Sequence, residues 1–312
     1  MLSKPRQPMG PYFVLDGSRG YHIDLRMKAA EAVWSRTRDP QRIHWVGFAQ
    51  WGLGCFDRHL AGDGEQWRSA ALQAGDFLVD NQQRDGALRG AWPFGHPFPH
   101  TFELSPPWVM SMAQGEAASL LVRLSAETGD ERYAEAAREA LAPLERSVGE
   151  HGARATLPTG GVLFQEYPTT PPAHVLNGAI FTLFGVWDVW RTLDDPRAAA
   201  LWDEGIDGLL GGLHLWDTGF WSRYDLYPHK LPNVASPFYH DLHIEQLGAL
   251  GRLTEDARVA ATRRNFTNYA NSLASRSRAL AHKTAFRLVT PRRGLTRRRL
   301  RRLGERAGVL RP

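Results

Sequence analysis

The sequence predicts an all-α protein, an α/α toroid (an incomplete barrel) of about four helix hairpins with short β-hairpins in its long loops. Three observations predict it. Asp63, Asp130, Asp195 and Asp256 open helical runs and lie 67, 65 and 61 residues apart. Apolar helical runs alternate with more charged ones. The connections are short in one direction and long in the other.

Each element follows in order. Residues 1–22 are rich in Pro and Gly and read as an irregular arm; a helical pattern runs over 23–36. Apolar runs at 43–60, 110–125, 175–192 and 240–253 are the inner helices, each followed after a few residues by a charged, outer partner. Aspartate at a helix start accepts bonds from the orphan backbone N–H groups, which explains the recurring Asp. The alternative is four unrelated caps. Regular spacing together with alternation favours a repeat. The long links, 84–108, 149–174 and 212–238, would all emerge on one face. They carry many aromatics, among them Trp92, Trp216 and Trp221, which suit a sugar-stacking cleft. Gly160-Gly161 and Thr218-Gly219 could turn hairpins at 156–164 and 216–224. The toroid spans 23–280, and residues 281–312 form an Arg-rich tail.

Composition narrows the function. The chain has 312 residues, 43% of them hydrophobic, enough to bury a large core. Its one cysteine, Cys55, sits in an apolar run and reads as a buried small residue; a nucleophile is the alternative. No apolar run is long enough for a membrane span, and no signal-peptide core opens the chain, so the expectation is a cytoplasmic protein. The formal net charge is +5, but residues 287–312 hold ten Arg against Glu305 and contribute +9, leaving −4 for the rest. Such a tail suits an anionic membrane surface, where the protein would be peripheral, or nucleic acid, or is a solvated end. Nucleic acid is not the expected partner of a body that is itself acidic.

The chemistry-bearing residues fall into three stretches. Glu166-Tyr167 puts a carboxylate beside a phenol ahead of Pro168, Pro171 and Pro172. They can serve as base and acid, or as a helix-capping carboxylate and a packed ring. Tyr224 and Tyr239 share one loop system. A tyrosine acts as a base only where positive groups lower its pKa, and Arg223, His240 and His243 could supply them; otherwise these rings line the cleft. His240 and His243 share a helix face, but no third ligand is evident, so no metal is expected. Gln114, at the start of the second inner helix, either reaches a sugar or packs internally.

Several motifs occur in a familiar order. They are Trp108-Val109-Met110-Ser111-Met112-Ala113-Gln114-Gly115, Glu166-Tyr167-Pro168-Thr169-Thr170-Pro171, Val175-Leu176-Asn177-Gly178, Tyr224-Asp225-Leu226, and Tyr239-His240 with His243-Ile244. Together they resemble the C-terminal helical domain of the D-glucuronyl C5-epimerases, which turn D-glucuronate into L-iduronate in heparan-type chains. The resemblance runs over roughly residues 91–271. It implies a helical α/α barrel, a uronate-containing polysaccharide such as heparosan as substrate, no cofactor, and a homodimer. It also implies that Glu166 and Tyr239 exchange protons with C5 on opposite sugar faces, assisted by Tyr224 and Tyr167. Gln114, Asn177, Arg223 and His243 are the implied carboxylate-binding residues, and the loop aromatic Trp92 is a further substrate-binding candidate from its place in the long link. Two departures are visible. Animal members carry a membrane anchor and a large N-terminal β domain, where this sequence has about forty residues before its first inner helix. They also have Arg directly after Tyr-Asp-Leu, where Tyr227 stands here, so a changed carboxylate or sulfate contact is expected. The competing chemistries are a polysaccharide lyase, a glycosidase and a non-catalytic sugar-binding scaffold.

Overall fold

The structure is a computed structural model and describes residues 20–30, 39, 42–97, 101–102 and 104–291. Most of the expected arm and tail, the second half of the 23–36 helical pattern, and the loop aromatics Phe98 and His100 lie outside them.

Four α-hairpins follow one another in the chain. They are α1 (Trp45–Leu60) with α2 (Glu65–Asn81), α3 (Ser111–Thr128) with α4 (Glu131–Glu139) and the short α5 (Ala142–Glu145), α6 (Leu176–Leu193) with α7 (Pro196–Gly212), and α8 (Pro237–Thr254) with α9 (Ala257–Asn271). A tenth helix, α10, covers Leu273–Val289 and crosses the expected boundary at 280. The first members pack in a row: α1 on α3, α3 on α6, and α6 on α8. Burial sorts the two layers as their composition predicts. Eleven consecutive residues of α6, 176 to 186, are buried, whereas α9 buries only Val259 and Phe266. The all-α class is therefore as expected.

The aspartate signal holds at three of its four positions. Asp130, Asp195 and Asp256 accept the backbone N–H of Arg132, Arg197 and Arg258 and cap their helices. Such a cap is typically worth about 1 kcal/mol. Asp63 does not cap α2. Gly64 occupies that position at φ 125°, and the Asp63 carboxylate receives Arg58 instead. A residue in that conformation needs glycine, which displaces the cap by one position.

Of the two expected hairpins one forms. Strands β1 (Arg154–Thr156) and β2 (Val162–Phe164) pair antiparallel, with Arg154 opposite Phe164. At 216–224 a single bridge, Asp217 to Ser222, replaces a ladder, because Thr218 Oγ1 and the Asp217 carboxylate take the turn's hydrogen bonds. Residues 26–30 form a 3₁₀ helix rather than the start of an α-helix. The Asp24 carboxylate accepts from Arg26 N–H and tightens the turn, and the adjoining backbone presses on Gly54, where a Cβ would lie 2.2 Å from Leu25 O.

Two features fix the middle of the row. Gly115 of α3 and Gly185 of α6 bring the helix backbones together; a Cβ on Gly185 would fall 2.0 Å from Gly115 O. One turn further along, Asp188 of α6 is buried and held by Arg123 of α3 at 2.6 Å, by Ser119 Oγ at 2.8 Å and by His22 at 2.9 Å. Burial raises the Asp188 pKa, but Arg123 and His22 outweigh it and hold the carboxyl well below the usual range. Cys55 is buried, and that burial pushes its thiol up to about 12, which removes it as a nucleophile.

Candidate active site

Strand β2 delivers Glu166 and Tyr167 to the mouth of α6. Gln165 directly follows the strand and is fully committed. Its N–H donates to Ala153 O, its O accepts from Ser111 N–H, and its side chain holds both Leu163 O and His174. This pins the two ends of the 165–174 loop together, so the chain between them has a fixed exit. Glu166, 5% exposed, then lies against the first turn of α6. Asn177 Nδ2 donates to its Oε2 at 3.3 Å. A Cβ on Gly178 would sit 2.4 Å from the same oxygen, so the carboxylate occupies the space that any other residue's side chain would fill.

Three phenols complete the cluster. Tyr224 is hydrogen-bonded to Tyr167, and Tyr167 to the Glu166 carboxylate. The directions that satisfy every group run Tyr224 to Tyr167 to Glu166. The Tyr239 ring meets Tyr224 edge-on with centroids 4.8 Å apart. Phe102 and Trp108 cover Tyr167 at 5.6 and 6.4 Å, and Phe102 continues to Tyr227 and His229 at 5.0 and 5.8 Å. Four residues from three separate stretches thus converge, and they are the four that the sequence singles out for proton transfer.

The electrostatics differ from the expectation of a positively charged pocket. Burial is the main cause throughout. It lifts Glu166 to about 7, opposed by the bonds from Tyr167 and Asn177 and reinforced by the nearby Asp225 charge. It lifts Tyr167 and Tyr224 well above 10, with the Glu166 charge adding to both. His240 falls to about 4 and His243 falls well below 6.5, so both are neutral and lower no phenol. Tyr167 and Tyr224 are therefore proton donors at neutral pH, and Glu166 is the group poised to change state.

The two histidines have a structural explanation. Ser222 N–H donates to His240 Nδ1 at 3.2 Å, and Ser222 Oγ lies 2.7 Å from that nitrogen and 2.9 Å from His243 Nδ1. His240 Nδ1 is thus an acceptor and its Nε2–H donates to Phe266 O at 2.9 Å. The serine hydroxyl is left to accept from His243 Nδ1–H, which makes His243 Nε2 a bare acceptor inside the protein.

The substrate-binding candidates separate. Asn177 joins Glu166, and His243 lies one helical turn beyond Tyr239. Gln114 is elsewhere: its amide is spent on Trp92 N–H, Gly90 O and Ala140 O. Trp92 is fully buried with its indole N–H on Leu78 O, so it is core rather than cleft wall. Trp216 and Trp221 are likewise buried and bonded to His174 O and Ala235 O. Long loops must bury apolar staples and satisfy their own carbonyls, and indoles do both. Arg223 is half-buried beside Asp225, and its pKa is lowered by burial.

Other contributors escape the sequence. Gln246 donates to Asn177 O at 2.9 Å and fixes the residue that holds Glu166. Its only signal is its position seven residues after Tyr239, on the same face. Glu116 is buried, accepts from Gln50 at 2.9 Å, and has its pKa raised well above 4.5 by burial. Lys283 of α10 donates to Asn233 Oδ1 at 2.7 Å and to Val234 O, and Asn233 in turn holds the Asp225 carboxylate next to Tyr224. His229 Nε2 approaches the other Asp225 oxygen at 3.3 Å without hydrogen-bond geometry.

An all-α protein that buries a carboxyl of near-neutral pKa among linked phenols has the equipment of an acid–base enzyme. Comparison with known proteins gives the family. The model described as D-glucuronyl C5-epimerase C-terminus matches residues 85–268, and the chain belongs to that family. It is 31% identical over 224 residues to the D-glucuronyl C5-epimerase of Caenorhabditis elegans, covering 66% of this chain and 36% of the relative. It is 29% identical over 168 residues to the uncharacterized protein MJ1128 of Methanocaldococcus jannaschii, covering 53% of each. The chain thus spans about a third and about half of these two relatives.

Proposed function

We propose that the protein is a uronate C5-epimerase that interconverts D-glucuronate and L-iduronate units of a heparosan-like polysaccharide. One observation carries the reading: a buried carboxyl at about 7, Glu166, hydrogen-bonded to Tyr167 and through it to Tyr224, whose ring meets Tyr239 edge-on. The C5 hydrogen is α to a carboxylate and very weakly acidic. Its removal needs a base on one face of the ring, a donor on the other, and hydrogen bonds to the enediolate-like intermediate. Glu166 takes the proton and becomes the neutral acid that its burial favours. Tyr239 delivers a proton to the opposite face, and before the next turnover its phenolate regains a proton from solvent while Glu166 releases to solvent the one it took. Tyr167 and Tyr224 remain protonated and stabilise the charge that develops. No bond of the chain is broken.

In heavy water, deuterium is expected at C5 of uronate residues in heparosan, with iduronate appearing and no change in chain length, as read by NMR. Shorter chains ending in unsaturated, UV-absorbing uronate would instead make the protein a lyase, which shares the first proton abstraction. Sugar binding with no exchange would make it a scaffold.

The pH dependence follows from Glu166. Its folded pKa is raised, so it is protonated below about 7 and ionised above. In the direction in which Glu166 is the base, kcat/KM should rise as pH passes upward through about 7; in the reverse direction, where it is the acid, it should fall. The two substrates should therefore give mirror-image limbs, and Glu166→Gln should remove both. Identical limbs from glucuronate and iduronate would assign the titration to another group.

A further inference from the structure

The last helix, α10, is apolar on its outside. Inward it buries only Ala279 and Phe286, whereas Leu273, Leu280 and Leu288 are 79%, 67% and 81% exposed. At 100° per residue these three leucines fall within an arc of about 80°. They run the full length of the helix, with the exposed Ser277 and Thr284 set between them on the same arc. Arg276 is exposed beside it, and Arg287 lies on the same flank, donating to Thr101 Oγ1 at 3.2 Å. The chain then continues with nine further Arg and one Glu between 290 and 312. The family match ends at 268, so the shared pattern does not account for this helix.

We propose that the outward face of α10 is a docking surface for an anionic lipid bilayer. A leucine stripe flanked by guanidinium groups is the build of a helix that lies in the headgroup plane. Charge decides the occupant. The basic charge is concentrated at this end while the rest of the chain is net acidic. Pairing α10 with a second copy would bring two such basic ends together, whereas an anionic headgroup layer neutralises them. Among the described residues no helix is long and apolar enough to cross a membrane, so the contact is interfacial. The inner side of α10 grips the loops around the acid–base cluster, through Lys283 on Asn233 and through Arg278, 4.0 Å from the Phe220 ring centroid. Docking therefore holds those loops beside the lipid surface. The argument is independent of the reaction proposed above.

Co-sedimentation of the full chain with phosphatidylcholine vesicles, with and without phosphatidylglycerol, tests it. Binding is expected only with phosphatidylglycerol and should weaken as salt rises. Replacing Leu273, Leu280 and Leu288 together by Ser should lower vesicle affinity by about 1,000-fold, since each buried leucine is worth roughly a factor of ten or more. All three side chains are exposed, so the unfolding midpoint should not fall. Leu280→Trp supplies a gain of signal, with quenching of its added emission by brominated phosphatidylglycerol expected. Undiminished vesicle binding by the triple-Ser variant would overturn the proposal. So would equal binding to phosphatidylcholine alone, or added emission from the bound Leu280→Trp protein that brominated lipid leaves unquenched. A dimer in solution that the triple-Ser variant converts to a monomer would assign the stripe to a second copy instead. Blue-shifted added emission from a vesicle-free Leu280→Trp monomer would assign it to the chain's own C-terminal residues.

Discussion

Net epimerisation should fall by about 10²–10⁴ in both Glu166→Gln and Tyr239→Phe, the usual loss when one positioned acid–base group is removed. Gln keeps the shape of Glu166 and can still accept from Asn177, 3.3 Å away in the native protein, but it cannot take a proton. Phe removes only the phenolic oxygen of Tyr239 and keeps its ring against Tyr224. The two variants should differ in what survives. Each retains the base for one sugar face, so one should still exchange C5 hydrogen from glucuronate and the other from iduronate. Tyr224→Phe interrupts the hydrogen-bonded run toward Glu166 and should slow both directions alike. Near-normal turnover of both substrates by Tyr239→Phe would make Tyr239 a wall of the cleft and move the second proton donor to Tyr224 or Tyr167.

The largest effect on stability should come from Arg123→Met, at about 3–5 kcal/mol, because it leaves the buried Asp188 without its main counter-charge. The melting temperature should drop by roughly 10 °C. Asp188 has a depressed folded pKa, so its contribution is present above the unfolded value near 4 and is lost as pH falls through the folded one. In the variant that dependence should weaken or invert. Adding Asp188→Leu should recover most of the loss, since two apolar side chains can replace a buried ion pair. A urea midpoint for Arg123→Met within error of the native one would show that the pair does not hold α3 to α6.

Local signals in the sequence account for the helices and for the residues that gather in the candidate site. Asp130, Asp195 and Asp256 announce their helices because an N-cap is a contact within a few residues. The long apolar stretch at 175–189 announces an inner helix for the same reason. Glu166, Tyr167, Tyr224 and Tyr239 are legible through their motifs. What is not legible is direction. Whether an aromatic in a long loop faces a ligand or the core depends on which carbonyl its N–H can reach, and for Trp92 that is Leu78 O, fourteen residues back. Gln114 fails in the same way, since its three backbone partners belong to segments distant in sequence. The charge state of the site is also nonlocal. His240 and His243 look like cations in the sequence and are neutral in the fold, because burial sets their pKa and Ser222 sets their tautomers.

The bond from Lys283 to Asn233 gives the unit that supports the candidate site a different end from the family match. The family match stops at 268, yet the residue that secures Asp225, and with it the backbone next to Tyr224, lies on the helix beyond. A hybrid that grafts residues 85–268 onto a relative's flanking segments would inherit every proton-transfer residue but none of the strut that holds one of them in place. Swaps between relatives should therefore be cut after Phe286, whose ring is buried beneath that strut, rather than where the alignment fades.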